Sequence, residues 1–185
     1  MIRHLEELAR VASRSAAELA VPVARYVALV RETLAAGRTV YFAGNGGSAA
    51  HAQHVATEYV VRYRPRARRA VPALALSTDS SLLTAAANDL GFEQIFARQV
   101  EAHGRPGDLL VLVSTSGRSP NLARAAEAAK AAGMRTVALL AGDGGELAKL
   151  VDLAVMVPSD DSAPALEIQL AIVHDVCSQV EPDLQ

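Results

Sequence analysis

Apolar positions along this chain follow two rhythms. From Leu5 to Val30, the residues Leu5, Leu8, Val11, Leu19, Val23, Tyr26, Val27 and Val30 are spaced for burial along a helix. They predict one or two amphipathic helices over residues 1–36, with Pro22 marking a break or bend. The rhythm then changes to short, nearly continuous apolar runs between glycine and proline signals. These predict strands at Thr39–Ala43, Pro72–Ser77, Leu109–Ser114, Thr136–Ala141 and Leu153–Pro158. Strands of this kind suit a parallel sheet covered on both faces. Between them the pattern predicts helices over 48–62, 79–87, 92–102, 119–132 and 144–150, with a last helix over 164–181. Alternating β and α elements imply an α/β fold: a doubly wound, mainly parallel five-stranded sheet with right-handed crossovers and an N-terminal helical extension. No internal repeat or linker divides the chain. Residues 1–185 read as a single domain, with 1–36 packing inside it or in an oligomer.

Composition narrows the function classes. Eighteen Lys+Arg against 20 Asp+Glu give a net charge of −2, so the whole molecule has no general attraction for nucleic acid or anionic membranes. Cys177 is the single cysteine, which excludes an internal disulfide framework and a cysteine-rich zinc module. A reduced, cytoplasmic setting is the expectation. The N-terminus carries charges throughout and lacks the apolar stretch of a signal peptide, and no later window approaches a spanning helix. The strongest charge cluster is Arg62, Arg64, Arg66, Arg68 and Arg69. It reads first as a solvated loop or subunit contact, then as part of a phosphate site. Nucleic acid comes last, because only Tyr63 is there to stack.

In open α/β sheets, ligands collect beyond the carboxyl ends of the strands. The first predicted strand ends in Gly44-Asn45-Gly46-Gly47-Ser48 and enters an alanine-rich helix. This is either a tight turn with a serine cap or a backbone cradle for an anion. Its partial match to a dinucleotide fingerprint fails on spacing. The acidic partner belongs about 20 residues on, whereas Asp79 lies 35 residues beyond Gly44, and no Walker lysine is present. The third strand ends in Ser114-Thr115-Ser116-Gly117-Arg118-Ser119-Pro120, again before a helix. Four hydroxyls at a helix entrance suit a phosphate monoester, although one such turn taken alone is more often a cap. His54, Glu58 and Arg62 recur at four-residue steps on one helical face. They form either a surface charge ladder or a site whose carboxylate can take a proton from carbon beside a carbonyl.

Taken together, Gly44-Asn45-Gly46-Gly47-Ser48, His54-x-x-x-Glu58, Asn88-Asp89-x-Gly91-Phe92, Arg105-Pro106-Gly107-Asp108 and Ser114-Thr115-Ser116-Gly117-x-Ser119 resemble the phosphoheptose isomerase branch of the sugar isomerase (SIS) domain superfamily. The match runs in order across nearly the whole chain. The resemblance implies that Ser48, Ser114, Thr115, Ser116 and Ser119 hold the phosphate and sugar hydroxyls. It places Asn45, Gly46, Gly47, Arg62, Asn88 and Asp89 in the substrate site, and Glu58 and His174 as the acid–base pair. The implied reaction is aldose–ketose isomerisation of sedoheptulose 7-phosphate, with no nucleotide cofactor, in a homotetramer with sites between subunits.

Departures from the family pattern are concentrated before His174. Where the family reads Asp-Arg-Ile-Gln-Glu, this chain has Ala163-Pro164-Ala165-Leu166-Glu167. Some members bind zinc through histidine, glutamate, glutamine and histidine. Here His54, Glu58 and His174 stand at three of those places and Leu166 at the fourth, so the resemblance leaves a three-ligand zinc site with an open position. In the phosphate loop, Arg118 replaces the usual asparagine. Two competing expectations go with these departures: a noncatalytic SIS module that binds a replication-initiator protein, and a sugar-phosphate sensor.

Overall fold

The computed structural model describes residues 2–64 and 68–184. Helices α1 (Arg3–Glu18) and α2 (Ala20–Ala35) open the chain and are separated at Leu19. Pro22 falls in the first turn of α2, where a missing N–H costs nothing, so the break precedes the proline and does not sit on it. The strands β1 (Val40–Gly44), β2 (Ala73–Ala75), β3 (Leu109–Val113), β4 (Arg135–Ala141) and β5 (Leu153–Val157) form one wholly parallel sheet in the order β2-β1-β3-β4-β5. Every residue of β1 and β3 is buried, as expected of strands covered on both sides.

Alternate side chains feed two cores. Val40, Phe42, Val111, Val113, Val137 and Leu139 face α1, α2, α3 (Gly47–Val60) and α8 (Ser162–Val180). Tyr41, Ala43, Leu110, Leu112, Ala138 and Leu140 face α4 (Ser80–Leu90), α5 (Ala97–His103), α6 (Pro120–Ala131) and α7 (Leu147–Leu150). No helix among the described residues is long and apolar enough to cross a membrane.

Several helices differ from the pattern-based expectation, and α4 runs on to Leu90, three residues past its expected end. The stretch 92–102 splits into a 3-10 turn at Phe92–Gln94 and α5. The stretch 144–150 keeps only α7, because Gly144 and Gly145 take positive φ of 72° and 54°. Helix α8 starts two residues early, since the Asp161 carboxylate accepts from Ala163 N at 3.1 Å and caps it. Helix α3 ends at Val60, two residues short of Arg62.

The order 2-1-3-4-5 places the topological switch between β1 and β3, where the chain turns outward in opposite directions and leaves a crevice. Gly44 and Val113, the last residues of these two strands, are register partners. The two loops singled out by their sequence therefore leave the sheet side by side.

Candidate active site

The glycine loop enters α3 through Gly46, which caps the helix without a side chain. Ser48 is therefore inside the first turn and is not the cap expected from the sequence. The Asn45 and Asn121 amides donate to each other reciprocally, at 2.9 and 2.8 Å, and join this loop to the start of α6. In the serine loop, Ser114 is buried and its Oγ accepts from Gly117 N at 3.0 Å, so this hydroxyl shapes the turn from inside. Thr115 is half-buried, while Ser116 is exposed and its Oγ accepts from Arg118 N at 3.3 Å. Ser119 is the N-cap of α6 in extended conformation, and its side chain makes no cap hydrogen bond, leaving the hydroxyl beside the helix-start amides.

Gly117 lies so close to the β4–α7 connection that a Cβ there would stand 1.9 Å from the Gly144 carbonyl oxygen. A Cβ on Gly145 would in turn meet the Gly117 oxygen at 2.6 Å. Beyond this contact opens a cleft of about 410 Å³ lined by Thr115, Ser116, Arg118, Asp143, Asp160, Asp161 and Ser162. Arg118 spans its mouth, donating to Asp143 Oδ1 at 2.8 Å and Oδ2 at 2.5 Å. These hydrogen bonds from Arg118 hold the Asp143 carboxyl down at about 2.

On the other core face, α3 and α8 lie together. His54 Nε2 is 3.0 Å from His174 Nε2 and 3.5 Å from Glu58 Oε1. The donor atoms of His54, Glu58 and His174 all lie within 4.8 Å of one another. Donors about 2.0–2.2 Å from a tetrahedral zinc ion stand roughly 3.4 Å apart, so this set fits such an ion. No fourth donor comes from position 166. Leu166 packs over the glycine loop, where a Cβ on Gly47 would meet its Cδ2 at 3.1 Å. Burial and the neighbouring His54 lower the pKa of His174, which favours the neutral imidazole.

Some expected site residues lie elsewhere. Arg62 is exposed beyond the end of α3, off the helical ladder, and donates to Arg64 O at 3.4 Å. Asn88 and Asp89 stand exposed at the far end of α4, joined to each other by a 2.7 Å hydrogen bond. Among the described residues no hydrogen bond links them to either loop. The arginine cluster is not uniformly solvated. The Arg68 side chain is only 1% exposed and pairs with Glu181 at 3.2 Å, whereas Arg66 lies outside the described residues.

Sequence reasoning missed several residues. His51 precedes His54 by three and Glu58 by seven, so it shares their helical stripe, a signal open to the same spacing argument. It is buried, and among the described residues neither ring nitrogen has a hydrogen-bond partner. Gln169 on α8 is fully buried; its Nε2 donates to Ser114 O at 3.3 Å, while its Oε1 has no partner among the described residues. Burial, then the nearby His54 and His174, depress the His51 pKa to about 4. A predicted consequence is acid sensitivity. Unfolding exposes an imidazole that titrates near its ordinary 6.5, so the unfolded chain binds the extra proton first as pH falls. The stability is present in full above 6.5 and is lost progressively from there through about 4. That window is worth on the order of 3 kcal/mol. Urea unfolding at pH 7.5 and pH 4.5 should show the drop, and His51→Phe should flatten it.

Comparison with known proteins follows the same lines. The SIS domain family model matches residues 3–141. A phosphoheptose isomerase of Chlorobaculum parvum is 51% identical over 161 residues, covering 86% of this chain and 77% of that protein. Among solved structures, a phosphoheptose isomerase from Neisseria gonorrhoeae superposes with a TM-score of 0.92 at 36% identity, covering 97% of this chain and 96% of the other. One from Francisella tularensis gives 0.94 at 33% identity, covering 97% and 95%.

Proposed function

The chain belongs to the SIS-domain family, and within it to the phosphoheptose isomerases, and we propose that it interconverts sedoheptulose 7-phosphate and an aldose heptose phosphate. The observation that carries this reading is the meeting of Glu58 and His174, 116 residues apart in sequence, around His54 on one side of the switch point. A protein-binding scaffold or a sensor has no need of that juxtaposition, and neither alternative is favoured by relatives that are isomerases.

Phosphate is anchored by the Ser116 and Ser119 hydroxyls and the amides that open α6, with Thr115 and Ser48 completing the cradle; the amide-tied Asn45, Gly46 and Gly47 present backbone to the sugar. Ser114 holds the turn in shape. The Glu58 side chain, 14% exposed, is dry enough to act as a base yet open to substrate. It takes the proton from the carbon beside the carbonyl and returns it to the neighbouring carbon through an enediol. His174, held neutral by its surroundings, assists ring opening and moves the proton at oxygen. His54, Glu58 and His174 are the residues that would hold zinc, which when bound supplies a Lewis acid for the carbonyl oxygen. No nucleotide cofactor is required.

Residues 1–185 work as one SIS domain in a cytoplasmic homotetramer. Exposed Leu90 and Phe92 beside Asn88 and Asp89 support an interface there, through which Asn88, Asp89 and Arg62 would serve a neighbouring subunit's site.

The test is a coupled isomerisation assay over a small phosphosugar panel, with and without chelator. Turnover of the heptose phosphate is expected; its absence in both conditions overturns the reading. Replacing Ser116 and Ser119 together by alanine should weaken phosphosugar binding at least about tenfold, since hydrogen bonds to a charged group contribute about 1.5–3 kcal/mol each. Calorimetry on the folded double variant reads this directly.

A further inference from the structure

Among the described residues the His174 imidazole has a single hydrogen-bond partner, His54, whose Nε2 lies 3.0 Å from its own Nε2. What fixes its plane is a stack. The Tyr63 ring lies over His174 with centroids 5.2 Å apart and planes 21° apart. Arg64 Cζ covers the Tyr63 ring at 5.0 Å from its centroid. His174 also meets His54 in an edge-on arrangement, with centroids 5.2 Å apart and an interplanar angle of 78°.

Tyr63 sits in an irregular segment that leaves α3 after Val60, so helical hydrogen bonding does not place it. One buried carboxylate does. Glu181, 5% exposed at the end of α8, accepts from Tyr63 N at 2.7 Å and from Arg64 N at 3.1 Å. It also accepts from Arg68 Nε at 3.2 Å, while another nitrogen of the same guanidinium donates to the backbone oxygen of Glu58. A single clamp thus ties the aromatic ring over His174 to the end of the helix that carries Glu58. Three donors converging on one carboxylate shielded from water hold geometry far better than an exposed loop can.

From this geometry we infer that Tyr63, set in place by Glu181, is a positioning residue for the isomerase reaction: its ring fixes the plane of His174 against Glu58 and His54. The inference rests on the acid–base role proposed for His174. Tyr63 does its work through the face of its ring, so phenylalanine suffices and an aliphatic residue does not. Misorienting a proton-transfer group impairs the chemical step more than the binding of substrate.

The experiment compares Tyr63→Leu and Tyr63→Phe in the full-length protein. Tyr63→Leu should lower kcat about tenfold or more with KM within about twofold, and Tyr63→Phe should restore most of the loss. A second readout does not depend on turnover. In NMR spectra, the His174 ring protons, assigned through His174→Gln, should move downfield in Tyr63→Leu as the shielding of the stacked ring is lost, and stay in place in Tyr63→Phe. Unmoved resonances in Tyr63→Leu overturn the stack itself. Moved resonances with unchanged kcat overturn the positioning role, as does a Phe variant that fails to restore kcat. If the unaltered protein does not isomerise the heptose phosphate, it is the acid–base reading that fails, and the resonance shifts still decide whether the stack orients His174.

Discussion

Glu58→Gln should lower turnover by about 10²–10⁴-fold while leaving phosphosugar affinity within a few-fold, because it preserves the size of the side chain and removes only its basicity. The affinity is expected to survive because the hydroxyls proposed to anchor the phosphate lie on the serine loop, whereas Glu58 stands on α3 beside His54 and His174. Substrate deuterated at the abstracted carbon should lose its label to solvent with the unaltered protein and keep it with Glu58→Gln. His174→Gln should be similarly damaging. Exchange that persists at the unaltered rate in Glu58→Gln would move the base to another residue.

The largest stability effect is expected at the Arg68–Glu181 pair, whose side chains are 1% and 6% exposed. Glu181→Ala leaves a guanidinium buried without its counter-charge and strips the acceptor from Tyr63 N and Arg64 N. The loss should be about 3–5 kcal/mol, or roughly 10 °C in Tm. Replacing both partners, Arg68→Met with Glu181→Leu, should recover much of that stability, because burying two well-packed apolar side chains costs no desolvation of charge. Calorimetric scans of the single and double variants check both numbers. The double variant should still turn over slowly, since stability returns without the acceptor that places Tyr63.

These two sites differ in how far the sequence revealed them. The α/β architecture was legible because each strand is a short apolar run with β-branched or leucine side chains, whereas the order 2-1-3-4-5 was not, since right-handed crossovers are compatible with more than one order. The switch-point loops were legible because glycine and serine runs sit at strand ends. His54 and Glu58 could be paired by helical spacing alone, but His174 reached them only through resemblance, since no local pattern says that α8 will lie against α3. The Arg68–Glu181 clamp was invisible for the same reason. An arginine in a run of arginines reads as solvated until the fold brings a carboxylate from 113 residues away. Element ends were misjudged where glycine conformation or a side-chain cap decides them, at Gly144, Gly145 and Asp161. His51 was overlooked although its spacing was open to view, because a histidine among alanines carries no charge pattern.

The close approach of Gly117 to Gly144 and Gly145 governs how this cleft can diversify. Neither Gly117 nor Gly145 can acquire a side chain alone, since each would drive a Cβ into the backbone of the other loop. A viable path would need both loops to move apart in the same lineage, a rare coincidence of changes. Position 118, one residue along, projects into solvent and exchanges its Asp143 contact at little structural risk. Variation under selection for a new phosphorylated sugar should therefore accumulate at 118 and 143 and along the Asp160–Ser162 rim, while the glycine seam beneath them stays fixed.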